Sequence, residues 1–191
     1  MKFQKRTPLF IFALVVTTIA GKQSPIEINT TLDQFDSILI TGTTHSIFLR
    51  NVSLVDSIKN KPLGSTRTGR KTRAPLICKP SLDTAISSSL NSFLKDKHIA
   101  AQSETAADLI IDLSILNAKI TEVSKGLTQT MSVQLTIEVK LINPADTSVK
   151  KTLVIESGNS METLDTTKKA AQIVRGAIET FIQELVKSIP H

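Results

Sequence analysis

The sequence predicts an α+β domain: an antiparallel β-meander sheet with a mixed N-terminal strand and two amphipathic helices packed on one face, in the order β-α-β-β-β-α. Three observations predict it. Between Ala107 and Gly158 three segments alternate apolar and polar residues and are joined by short turns, as half-buried strands do. The middle one is clearest, with Leu127, Met131, Val133, Leu135, Ile137, Val139 and Leu141 on one parity and polar residues on the other. Before and after this block the apolar period changes to helical, through Leu82, Ala85, Ile86, Leu90, Phe93 and Leu94, and again through Ala170, Ile173, Val174, Ala177, Ile178, Phe181, Leu185 and Ile189. A strand, a helix and a further strand favour a right-handed crossover, which puts both helices on the same side of the sheet.

The chain begins as export segments do. Met1–Arg6 is basic and Pro8–Ala20 is apolar but well short of the ~20 residues that cross a bilayer as a helix, so residues 1–22 are read as a signal peptide and no transmembrane helix is expected in the mature chain. Its end, Ile19-Ala20-Gly21, is similar to the start of a lipobox, but Lys22 fills the lipidation slot where a cysteine would accept lipid. Residues 23–36 are polar, contain Pro25, and are expected to form a tether, with Ile26 and Ile28 giving at most a short extended piece. Residues 37–191 are expected to be a single α+β domain, large enough to bury its own core.

Within the domain, residues 37–40 and Ser46–Val55 are β-rich, with Gly42 suited to a bend. Residues 58–80 hold Pro62, Gly64, Gly69 and Pro75 among Ser and Thr and are expected to be a long loop. Pro80 favours the start of the first helix, at about Ser81–Lys97. In the first meander strand Leu109, Ile111, Leu113 and Ile115 share one parity and Leu116, Ala118 and Ile120 the other, which predicts a bulge near Ile115 or Leu116. Ser124-Lys125-Gly126 and Asn143-Pro144-Ala145-Asp146 are the turns. Val149, Leu153 and Ile155 are expected to face the core. Thr163 or Asp165 can cap the last helix, which Pro190 ends.

Charge is informative only once it is located. The formal net charge is +6, but four of the 23 cations lie in the export segment. Seven more, Lys59, Lys61, Arg67, Arg70, Lys71, Arg73 and Lys79, lie in the acid-free loop 58–80, so the rest of the body has fewer cations than acids. That loop is the candidate anion- or partner-binding site, for anionic lipid headgroups or an envelope protein. Nucleic acid is not expected, because export removes the opportunity and the loop has no aromatic residue to stack on bases.

Other motifs give no chemistry. Gly64-Ser-Thr-Arg-Thr-Gly69-Arg-Lys71-Thr72 approaches a phosphate-binding loop, but Arg70 fills the lysine slot and Pro75 opposes the helix that should follow. His45, His98 and His191 lack metal-ligand spacing. Asp108 and Asp112 fall on the parity opposite Leu109 and Ile111 and read as solvent-face charges rather than a catalytic pair. Cys78, the single cysteine, has no partner for a disulfide. No catalytic residue, cofactor or metal site is predicted.

The order of elements, together with Ile19-Ala20-Gly21, Val52-Ser-Leu-Val-Asp56, the helix Leu82–Leu94, Ala107-Asp-Leu-Ile-Ile-Asp112, the segment Ala118–Gly126 and the closing Ala-rich helix, resembles the YajG family of Gram-negative envelope lipoproteins. The resemblance implies a non-enzymatic, periplasm-facing protein with an accessory or binding role, associated with the outer membrane if a lipidated form exists. The sequence departs from that pattern at Lys22 and at Ile58, where such proteins commonly carry arginine two residues after the strand-ending acid. An auxiliary subunit of an envelope transport or secretion machine is the alternative, by analogy of fold. A small hydrolase is a third reading, which no constellation of residues supports.

Overall fold

The computed structural model describes residues 23–30, 32, 45–68, 72–125, 128–163 and 166–189. The export segment with Lys22, the strand at 37–40, the Gly42 bend, Arg70, Lys71, Gly126, Leu127, Asp165, Pro190 and His191 lie outside the described residues.

The meander consists of β5 (Leu109–Lys125), β6 (Thr128–Ile142) and β7 (Val149–Thr163), paired antiparallel in sequence order. The strand β2 (Ile47–Leu54) lies parallel beside β5, completing a four-stranded sheet in the order β2-β5-β6-β7. Apolar alternation closes one face of this sheet: Leu109, Ile111, Leu113 and Ile115 of β5 and Met131 through Leu141 of β6 at every second position are buried. Over that face pack α1 (Leu82–Asp96), chiefly against β2, and α2 (Thr166–Ser188), chiefly against β7 and β6. Phe93 and Phe181, both fully buried, join the same apolar core. Both helices therefore cover one face, as expected.

The predicted bulge is present. The β5–β6 register shifts between Ile115 and Asn117, which leaves Leu116 37% exposed while Ala118 and Ile120 return to the core. It has a structural purpose that periodicity does not show. The strand β2 pairs with β5 only as far as Ile115, and Val55 N–H donates to Ile115 O at 3.2 Å. Beyond the bulge a different neighbour takes over, where Ile120 N–H donates to Leu63 O at 2.7 Å. The bend lets one strand serve two partners in succession.

That second neighbour corrects two expectations. Residues 58–80 are not one long loop: they contain β3 (Gly64–Arg67) and β4 (Arg73–Cys78), an antiparallel hairpin. Residues 23–36 are not simply a tether either, because β1 (Ile26–Ile28) pairs parallel with β4 and Ile28 and Thr30 are buried. The resulting sheet, β1-β4-β3, is tied further into the fold by Arg175 Nε donating to Asn29 O at 3.2 Å and Leu32 N–H to Ser89 Oγ at 3.2 Å. Proline and glycine concealed it. Pro75 lies in β4 opposite Ser65, but β1 pairs only with Leu76, Ile77 and Cys78, so the missing N–H of Pro75 falls beyond the stretch that β1 covers.

Three smaller corrections concern β5, β7 and the turns. Ser124 and Lys125 are still in β5, paired with Gln129 and Thr128, rather than in the first turn. Val149 is 52% exposed rather than core-facing, because the register shifts between Leu141 and Ile142: Lys151 opposes Leu141 but Val149 opposes Ile142 on the other face. Thr163 is the last residue of β7. The second turn closes where expected and runs on to Ser148, with Asn143 N–H donating to Ser148 O at 2.9 Å and Ser148 Oγ to Asp146 Oδ1 at 2.7 Å.

Candidate functional site

The described cations of the basic segment are distributed along the hairpin rather than gathered. Lys59 and Lys61 are exposed on the turn after β2, which its own backbone holds: Ile58 N–H and Lys59 N–H both donate to Val55 O, at 3.0 and 3.2 Å, and Lys61 N–H to Ile58 O at 3.1 Å. Asn60 takes a φ of 59°, a left-handed conformation that asparagine tolerates. Arg67 and Arg73 lie at the other end of the ribbon, and at about 3.4 Å per residue Arg67 is roughly 20 Å along the chain from Lys61. Lys79 pairs with Glu27 at 3.0 Å, across β4 and β1.

Arg73 is tied into the fold. Its guanidinium donates to Ser65 Oγ at 2.9 Å, to Ser65 O at 2.8 Å and to Glu122 Oε2 at 3.1 Å. The same carboxylate oxygen accepts the Arg67 backbone N–H at 3.0 Å, so Glu122 clasps the hairpin to the second half of β5. The Glu122 side chain is only 1% exposed. Sequence reasoning missed this residue, although the signal was available: after the bulge Glu122 shares the parity of Ala118 and Ile120, and an acid on a core-facing parity needs a partner. The segment Gly64–Thr72 that approaches a phosphate-binding loop begins as β3 and is followed by β4, not by a helix.

Asp108 and Asp112 are structural. Asp112 pairs with Arg50 at 2.5 Å, and Asp108 Oδ2 accepts both Ser46 N–H and Ser46 Oγ at 2.8 Å, joining the start of β2 to the start of β5. These bonds, the backbone one foremost, hold the Asp108 carboxyl below the usual carboxylate range. Among the described residues no group of three or more His, Cys, Asp or Glu is placed to hold a metal ion, and no helix is long and apolar enough to cross a membrane.

Cys78 ends β4 and packs against the core. Burial pushes its thiol from an ordinary value near 9.0 up to about 12, against a smaller opposing effect of the Thr30 hydroxyl. The thiol is thus protonated at neutral pH, the form that is the weaker nucleophile and metal ligand. The folded chain keeps a proton that the unfolded chain releases, so this stabilisation is complete below pH 9 and declines as pH rises toward 12. Relative to Cys78→Ala, the native protein is expected to lose about 1.4 kcal/mol of stability between pH 8 and pH 10. Urea unfolding of both proteins across that range measures it, and parallel pH profiles would contradict it.

Between Cys78, the Lys59–Lys61 turn and the first residues of α1 lies a cavity of about 260 Å³, bounded by Leu54, Ile58, Leu63, Ile77 and Leu82. It brings Lys61 together with the apolar end of the hairpin, which sequence spacing did not reveal.

The fold and this site define a class: an α+β sheet with helices on one face and a basic hairpin docked on the meander. The fold alone has a counterpart among solved bacterial structures. The crystal structure of a Xanthomonas campestris protein of the DUF330 family is similar over 86% of this chain and 91% of its own, with a TM-score of 0.56 at 13% identity, a likeness of fold. A minor lipoprotein from Acinetobacter baumannii aligns over 74% of this chain and 88% of its own at 10% identity, with a TM-score of 0.43. No family model and no curated protein matches the sequence.

Proposed function

We propose that the chain is an exported, non-enzymatic, periplasm-facing envelope protein of YajG type that acts by binding, with the base of the β3–β4 hairpin as its contact surface. Residues 1–22 are its export segment and residues 37–191 its domain, to which β1 adds a strand. The observation that carries the reading is the contrast among the cations: Arg73 and Lys79 are committed to Glu122 and Glu27, whereas Lys59 and Lys61, like the Arg67 side chain at the far end of the ribbon, form no ion pair among the described residues, and the two lysines lie together, exposed, on a backbone-bonded turn. Exposed cations held by a rigid turn favour an anionic envelope component without strengthening the fold itself. Lys22 cannot take a thioether-linked lipid, so outer-membrane anchoring belongs to a form with cysteine at that position.

Affinity capture from detergent-solubilised envelopes tests the reading. The chain is expected to retain a partner that Lys59→Ser/Lys61→Ser loses while its melting curve is unchanged. No specific partner, or one indifferent to both lysines, would end this assignment of the surface, and capture of a membrane permease would make the chain an auxiliary transport subunit. Labelling with a palmitate analogue is expected for Lys22→Cys and not for the chain as it stands.

A further inference from the structure

We propose that the cavity at the base of the hairpin binds one aliphatic chain carrying an anionic head, of the size of a medium-chain fatty acid. The proposal rests on the binding role given above for this end of the molecule and names the ligand class.

The walls argue for an aliphatic chain. Leu54, Ile58, Leu63, Ile77 and Leu82 come from the end of β2, the following turn, the entry to β3, β4 and the start of α1. All but Ile77 belong to the main core or pack against it, so the space cannot close without disturbing that core. Ile77 is 39% exposed, a large apolar side chain left in water at the cavity. Cys78 adds a further uncharged surface, because its thiol is protonated. Asn60, Lys61 and Ser81 are the only polar lining residues, and covering the remaining apolar wall with an apolar guest removes it from water.

Charge argues for the head group. Lys61 is the only ionised residue among those lining the cavity, and no acid lines it. An anion beside Lys61 completes an ion pair that the described residues do not supply, while a cationic head would meet repulsion. Size limits the rest of the molecule. About 260 Å³ lies just below the roughly 300–1,000 Å³ of sites for drug-sized ligands, which suits a small ligand. One chain near the length of decanoate is of that order.

Calorimetry with sodium decanoate and with 1-decanol tests the proposal, using the chain without residues 1–22 and, as variants, Lys61→Glu and Ile77→Glu, both at exposed positions. One decanoate per chain is expected. Lys61→Glu should weaken decanoate about three- to fivefold, the size of an exposed ion pair, and leave decanol unchanged. Ile77→Glu should weaken both by more than tenfold with an unaltered melting curve. Flotation with phosphatidylglycerol vesicles separates the sources: binding of decanoate alone points to a free fatty acid, and binding of decanoate and vesicles with the same variant pattern to a membrane lipid. Absence of saturable decanoate binding, an equal response of decanoate and decanol to Lys61→Glu, or binding of vesicles without decanoate would overturn the site. In those cases a partner still captured through Lys59 and Lys61 would leave the broader binding role standing.

Discussion

Phe181→Ala is expected to lower the free energy of unfolding by about 3–5 kcal/mol, the usual cost of deleting a fully buried phenyl ring. Phe181 has no exposed surface and sits in α2 within the core that also holds Phe93 of α1 and the inward residues of β5 and β6. The loss combines the ring's transfer free energy with a cavity that a rigid sheet cannot fill. Phe93→Ala should fall in the same range, because the two helices close one core rather than two. Leu116→Ala is the internal comparison: on the bulge and 37% exposed, it should change stability by less than about 0.5 kcal/mol. Urea denaturation of the three variants measures all of this, and a cost under 1 kcal/mol for Phe181→Ala would be incompatible with the packing described.

Gly64→Ala should cost about 2–3 kcal/mol despite adding one methyl group to a short strand near the surface. A Cβ on Gly64 would run into the carbonyl oxygen of Ile120, and the obstacle is backbone in a paired strand, which has no rotamer to retreat into. The hairpin must then lift from β5, straining the bond from Ile120 N–H to Leu63 O and the Glu122 clasp on Arg67 and Arg73. Hydrogen exchange at the Ile120 amide should accelerate before the rest of β5 is affected. Gly176→Ala distinguishes this mechanism from a general intolerance of new methyl groups. There the new Cβ meets the side-chain amide of Asn159, which can swing aside, and α2 gains about 1 kcal/mol of helix propensity, so the net effect should be near zero. If Gly64→Ala proves equally neutral, the close approach of β3 to β5 is not maintained in solution.

The parts legible in the sequence were those set by repetition. Alternation over β5 and β6 identified the faces, its change of parity placed a bulge near Ile115 or Leu116, and the 3.6-residue stripes containing Phe93 and Phe181 identified the two helices. The hairpin was not legible, because Gly64 and Pro75 read as breakers in isolation and are harmless only in their actual surroundings, one against Ile120 O and the other beyond the reach of β1. The candidate site suffered most from this. Seven cations close in sequence read as a single basic loop, but an extended ribbon separates its ends, and acids remote in sequence, Glu27 and Glu122, take up Lys79 and Arg73.

By itself the amino-acid sequence determined the α+β class, the apolar face of the meander and the two helices that cover it, since each depends on side-chain periods within one segment. Only the tertiary structure decided that residues 26–28, 64–67 and 73–78 form a second sheet, that Lys59 and Lys61 are exposed together without an ion pair among the described residues, and that a mostly apolar cavity opens beside them. The physical reason is the range of the interactions involved: burial patterns repeat locally along a strand or helix, whereas charge pairing and cavities depend on residues brought together from several elements, whose distances no local pattern encodes.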